Sequence, residues 1–304
     1  MSAWLRVPRG FRDRVTGVLP EWFWIWLRQL REVELDRRWE TGRLLLDAHP
    51  SLAAERSGEA ALAAHECRAF SQNGQDGIIA FLLDTVSPAS KRFVEFGIGD
   101  GSENNTANLA LTFGWGGLLL EIDPAQVERA RRFYADAPSV ESGRIRIEQA
   151  HVTAENIDGL LRDNDAGEID LLSLDIDGSD LWIWRAITAI DPRVVVIEYN
   201  ASFGPARSVS VPYDQTFSRY EAHTSGFYHG ASLAALAKVG AEKGYALVGC
   251  DSRGTDAFFV KRDAAEGKLR ELTPAEAFRP LWERAHLSVE EQFAQIAHLD
   301  LVEI

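Results

Sequence analysis

Cysteine is almost absent from this chain. The 304 residues hold only Cys67 and Cys250, too few for a disulfide framework, so a reducing compartment is expected. Long apolar runs are absent as well, and no stretch approaches the length of a membrane-crossing helix. The N-terminus lacks the basic, apolar and small-residue succession of a signal peptide. Together these absences predict a cytoplasmic location. Positive charge is also scarce. The formal net charge is −14, whereas a general nucleic-acid binder needs a basic face to neutralise phosphates. Nucleic acid is therefore not an expected partner. Internal repeats and low-complexity linkers are missing too.

What is present suits a soluble globular protein, 46% hydrophobic and 26% charged, large enough for one sizeable core. Three regions differ in pattern. Residues 1–67 read as helical, and five of the nine tryptophans fall in the first forty positions. Trp22, Ile25, Trp26, Leu30 and Val33 approximate one helical face. Two readings of that face stay open: packing on the core or a partner subunit, or contact with a membrane surface. Residues 68–262 alternate short buried strands with helices. "KRFVEFGIG", "GGLLLEID", "RIRIEQAHV", "IDLLSLDID" and "RVVVIEYN" are five strand patterns in succession. Apolar strands separated by helices imply a mainly parallel α/β sheet covered on both faces. "YALVGC", the turn "SRGT" and "DAFFVKR" then predict a closing antiparallel hairpin. Residues 263–304 look helical again, with capping signals at Thr273/Glu276 and Ser288/Glu291.

Two clusters of residues carry chemistry. "VEFGIGDGSENNT" follows the first strand and supplies Glu95, Gly97, Gly99 and Gly101. Glycines in such a loop allow positive φ and close approach of a ligand to the backbone. The second strand ends in Glu121, where a carboxylate can accept both hydroxyls of a ribose. A dinucleotide fingerprint would require glycine where Ser102 stands. The E-x-G-x-G-x-G spacing fits S-adenosylmethionine (SAM) instead. The second cluster is acidic. Asp175 and Asp177 end the fourth strand, and Glu198 and Asn200 end the fifth. Ligands of open parallel sheets bind outside these carboxyl ends. Such oxygens suit magnesium or another hard divalent cation. Asp180 is placed to cap the next helix.

The motifs "FSQNGQDGII", "FVEFGIGDGSENNT", "GLLLEIDP", "LLSLDIDGSD", "VVVIEYN" and "YHGASLAAL", in that order, resemble FkbM-like SAM-dependent methyltransferases. The branch is the one carrying an S-Q-N-G-E/Q-D-G segment. The resemblance covers about residues 68 to 262. It implies a class I methyltransferase Rossmann-like sheet with helical extensions at both ends. It further implies methyl transfer from SAM to a hydroxyl of a sugar, glycan or other polyhydroxylated small molecule. Carried over by position, Glu95, Gly97, Gly99, Gly101 and Glu121 hold the cofactor. Gln72 and Asn73 approach it from the segment before the first strand, and His151 from the adenine side. The chain has Asp256 where the family commonly has asparagine. "LDIDG" and "VIEYN" are also similar to the metal sites of macrocin-type sugar O-methyltransferases. That likeness makes Asp177, Glu198 and Asn200 candidate metal ligands. Asp177, Asp175 and His229 are the candidate catalytic groups. Tyr213, Asp214, Tyr228 and His229 are candidate acceptor contacts on the long irregular segment after Asn200. Two alternatives remain: a magnesium-dependent haloacid-dehalogenase-type phosphatase using Asp175 and Asp177, or a domain that binds SAM or a glycan without chemistry.

Overall fold

The computed structural model describes residues 62–135, 137 and 143–304, and, upstream, Glu34, Arg37, Arg38, residues 40–42 and Leu44. The tryptophan-rich expectations for Trp22, Trp24, Trp26 and Trp39 lie outside the described residues.

One seven-stranded sheet organises the core. Its strands are β1 (Arg92–Phe96), β2 (Gly116–Glu121), β3 (Ile145–Gln149), β4 (Leu171–Leu174), β5 (Val194–Glu198), β7 (Tyr245–Cys250) and β8 (Asp256–Lys261). Their order is β3-β2-β1-β4-β5-β8-β7. β1 to β5 pair in parallel, and β8 enters antiparallel between β5 and β7. The expected closing hairpin therefore forms, and its second strand inserts inside the first. A small second sheet joins β6 (Val209–Ser210) to β9 (Val302–Glu303).

Side-chain alternation divides the sheet into two buried faces. Phe93, Leu119, Val194, Val196 and Phe258 face the layer built on α1 (Gln75–Val86), α2 (Ala107–Leu111) and α3 (Pro124–Ala135). Val94, Phe96, Leu120, Val195 and Phe259 face α4 (Ile157–Asp163), α5 (Asp180–Ala186) and α7 (Leu233–Glu242). The short α6 (Arg219–Ala222) belongs instead to the irregular segment over the sheet's carboxyl edge. Glu95, Ser173, Glu198 and Asp256 alternate onto the α1 side, and all sit near the carboxyl ends of the parallel strands. Topology thus places the chemistry at one edge. Among the described residues, no helix is long and apolar enough to cross a membrane.

The C-terminal segment packs on this edge. Thr273 with Glu276 and Ser288 with Glu291 form the two expected capping boxes. They open α9 (Pro274–Ala277) and α10 (Val289–Ala294), which follow the short α8 (Arg262–Ala265). Gln292 accepts a hydrogen bond from Ser202 Oγ at 2.8 Å, tying this segment to the loop after β5.

Candidate active site

The glycine loop is built as its spacing demands. Gly97, Gly99 and Gly101 have φ of +75°, +55° and +77°, angles that only glycine adopts without strain. At Gly97 a methyl group would meet the Asp175 carbonyl oxygen at 1.7 Å. The glycine lets β1 and β4 approach at their ends. At Gly99 a methyl group would meet nothing within 4 Å, because this residue borders open space. Gly99 N–H donates to Glu121 Oε2 at 2.8 Å, and Ile122 and Asp123 donate to Oε1 at 2.8 and 2.9 Å. Oε1 already accepts two bonds, while Oε2, with one, keeps acceptor capacity for a ligand.

That cleft encloses about 400 Å³, and Gly97, Gly99, Glu121, His151, Asp175 and Asp177 are among its walls. The segment after β6 closes the far side with Tyr213, Asp214, Gln215 and Phe217. Several bonds strap this segment across the opening. The His151 ring nitrogen Nε2 lies 2.8 Å from the Gln215 carbonyl oxygen. Tyr213 Oη donates to Glu155 at 2.7 Å and accepts from Ala154 N–H. Phe217 packs so closely on Gly178 that a β-carbon there would sit 2.3 Å from the ring.

Beside the cleft, carboxylate oxygens of Asp175, Asp177 and Glu198 all lie within 4.8 Å of one another. Asp177 adopts φ +60°, an unusual conformation for a residue with a side chain. Asp180 helps hold that turn. Rather than capping α5, it accepts Ile176 N–H at 2.9 Å and Gly178 N–H at 3.1 Å. Asp175 touches the open cleft yet is ringed by protein. Desolvation by the surrounding protein, then the Glu198 and Asp177 carboxylates, raise its pKa, an effect screened by the side chain's exposure to the cleft. Burial and Asp177 do the same to Glu198, with Arg219 pulling the other way.

Arg219, which the sequence did not suggest, enters this cluster. Its Nη1 donates to Asp177 Oδ1 at 2.6 Å and lies 3.7 Å from Glu198 Oε1. A second unforeseen residue stands behind it. Arg284, 8% exposed, donates to Ser202 Oγ at 2.6 Å and the Gly226 carbonyl at 3.0 Å.

Several expected residues take other roles. Glu95 is 3% exposed and accepts from the side chains of Asn104 and Thr106 and from backbone N–H groups of Asn105 and Thr106. It staples the loop rather than facing the cleft. Gln72 and Asn73 are not among the cleft walls. Asn73 donates to Thr255 Oγ1 at 3.0 Å, and its neighbour Asp76 gathers the N–H groups of Ala69, Phe70 and Ser71. The S-Q-N-G-Q-D-G stretch is thus a structural knot here. Asn200 does not join the acids. Its amide donates to the Phe227 and His229 carbonyls at 2.6 and 2.8 Å, and its oxygen accepts Ser202 N–H. His229 is 2% exposed and lies behind Glu198, at 3.7 Å. Burial and the charges of Arg219 and Arg284 hold its pKa well below the usual histidine value. It is a neutral group outside the cleft wall, not a contact for an incoming acceptor. Tyr228 points away and donates to the Asp300 carbonyl at 2.5 Å. Tyr213 and Asp214 do line the cleft.

Residues 55–232, more than half of the chain, match the family model described as the methyltransferase FkbM domain. The chain belongs to the FkbM methyltransferase family. It is a SAM-dependent methyltransferase, and the phosphatase reading of "LDIDG" falls with that assignment. The glycine loop, Glu121 and the cleft volume fit the donor. No curated protein matches this FkbM-family chain. Among solved structures, the N-terminal domain of EvdMO1 with SAH bound is 15% identical. That alignment covers 63% of this chain and 82% of the other, with a TM-score of 0.42. An O-methyltransferase from Bacillus cereus in complex with SAH is 17% identical over 72% of this chain and 89% of its own, with a TM-score of 0.39. The family assignment rests on the domain match alone.

Proposed function

We propose that this methyltransferase transfers the methyl group of SAM to a hydroxyl of a sugar, glycan or similar polyhydroxylated small molecule. The supporting observation is the convergence of Asp175, Asp177 and Glu198 within 4.8 Å at the end of the cleft that begins at Gly99 and Glu121. Glu121 and the backbone of Gly97 and Gly99 would hold the donor, with His151 at the adenine side. Bound there, SAM supplies an electrophilic methyl group. The chain must then hold a hydroxyl in line and accept its proton.

Asp175 is the group for that proton. It sits against the glycine loop at the Gly97 contact. Its raised pKa makes it a stronger base, when ionised, than an ordinary carboxylate. Asp177 and Glu198 would orient the hydroxyl as acceptors, and Tyr213 and Asp214 would meet the rest of the molecule. The rings of Tyr213 and Phe217 suit a sugar face, and hydrogen-bonding groups such as Asp214 and Gln215 suit its hydroxyls. The test is transfer of radiolabelled methyl from SAM to a panel of sugars, nucleotide sugars and glycans. Asp175→Asn should retain SAM binding and lose at least about a hundredfold in turnover. Label appearing only on nitrogen or sulfur acceptors would refute the hydroxyl assignment.

A further inference from the structure

The three carboxylates of the acceptor side pose a problem of charge. Asp175, Asp177 and Glu198 bring oxygens within 4.8 Å of one another. Like charges so close need compensation by a proton or a cation. Hard divalent ions take oxygen sets of this kind. The chain, however, already places a cation there.

Arg219 Nη1 is 2.6 Å from Asp177 Oδ1 and 3.7 Å from Glu198 Oε1. It bridges two of the three acids. The other side of the same guanidinium is also fixed, since Nε donates to the Gly226 carbonyl at 3.1 Å. Arg284 Nη2 donates to that same carbonyl at 3.0 Å. Arg284 is anchored in turn on Ser202 Oγ and lies beyond the family-matched segment, which ends at residue 232. Arg219 is therefore not a surface side chain that happens to reach an acid. Only 14% of its side chain is exposed, and two elements distant in sequence hold it.

The remaining directions are poor for a metal ion as well. Asn200 has its amide and its oxygen engaged with the backbone. Arg284 Nη2 lies 3.5 Å from His229 Nε2. Arginine only donates, so Nε2 is assigned as the acceptor and Nδ1 carries the proton. Nδ1 is the nitrogen that faces Glu198, at 3.7 Å, and a protonated nitrogen cannot ligate a metal. Arg219 is the donor that reaches the triad, whereas His229 Nδ1 is buried without a hydrogen-bond partner.

We propose that Arg219 is the resident cation of the acceptor site, balancing and orienting Asp177 and Glu198 in place of a divalent ion. It acts as a positioning residue, held from behind by the Gly226 carbonyl, to which Arg284 also donates. The inference rests on the methyl-transfer reading of the cleft, but its test needs neither acceptor nor donor.

Mn²⁺ is the probe, titrated by calorimetry and by electron paramagnetic resonance into the full chain. The wild type should show no Mn²⁺ binding tighter than about 1 mM. Arg219→Ala and Arg219→Gln should each gain one site at least about tenfold tighter, because the triad then lacks its cation. Adding Glu198→Gln to either variant should remove the gain. Two results overturn the proposal. One is micromolar Mn²⁺ uptake by the wild type that Glu198→Gln abolishes. The other is no gain of Mn²⁺ binding in either folded Arg219 variant. A parallel SAM titration separates the two readings: a wild type that binds no SAM sinks the methyltransferase site without touching the Mn²⁺ result.

Discussion

Gly97→Ala tests how the donor loop and the acid cluster are joined. The new β-carbon would stand 1.7 Å from the Asp175 carbonyl oxygen, where contacts under 3.0 Å are essentially never seen. The obstacle is backbone just past the end of β4, so the ends of β1 and β4 must part. Overpacking of this kind costs about 1–3 kcal/mol, and left-handed φ for alanine adds about 1–2 kcal/mol. A total of about 2–5 kcal/mol follows, which is a melting-temperature drop of roughly 4–20 °C for a domain this size. Gly99→Ala is the internal control. Its φ is also positive, at +55°, but nothing lies within 4 Å. It should lose about 1–2 kcal/mol, or roughly 2–8 °C. Its methyl group would enter the donor cleft instead and weaken SAM binding by at least about tenfold. Scanning calorimetry and SAM titration on both variants separate the two effects. Melting of Gly97→Ala within about 3 °C of wild type would rule out the backbone clash, as would greater destabilisation by Gly99→Ala.

Glu121→Gln should set a side-chain NH₂ against the Gly99 N–H and remove a charged partner for ribose. SAM affinity should fall by about 10–100-fold, read by calorimetry. Asp256→Asn should stabilise the protein at alkaline pH. Burial, then the neighbouring Asp251 carboxylate, raises the Asp256 pKa from 3.8 to about 7. The folded wild type therefore binds this proton more tightly than the unfolded chain and loses stability as pH rises between those two values. The urea midpoint of Asp256→Asn minus that of wild type should grow from pH 4 to pH 7 and then level off; a difference that shrinks with pH would contradict the assignment. Arg284→Ala should cost about 1–3 kcal/mol in urea unfolding, because Ser202 and the Gly226 carbonyl lose a charged partner.

The sheet was legible because its signals are local. Apolar runs such as "RVVVIE" declare buried strands by themselves, and "SRGT" between two of them declares a hairpin. The capping boxes at Thr273 and Ser288 depend on residues three apart. The glycine loop was legible for the same reason, since its positive φ values are a property of the loop. The electrostatics of the acceptor side was not legible. Arg219 meets Asp177 from 42 positions away, and Arg284 reaches Gly226 across 58. No local pattern distinguishes these arginines from surface ones. Asn200 and Glu95 misled for a related reason. Both occupy strand ends where a ligand contact is plausible, but the surrounding backbone N–H and C=O groups needed partners first. His229 sits on the right loop, yet it turns inward behind Glu198.

The most direct test of the central claim is a crystal structure of the full chain with SAH. The ribose hydroxyls should lie on Glu121, the backbone of Gly97 and Gly99 should touch the donor, and the sulfur should point toward Asp175. SAH bound elsewhere, or with its sulfur turned away from the acid cluster, would contradict that claim.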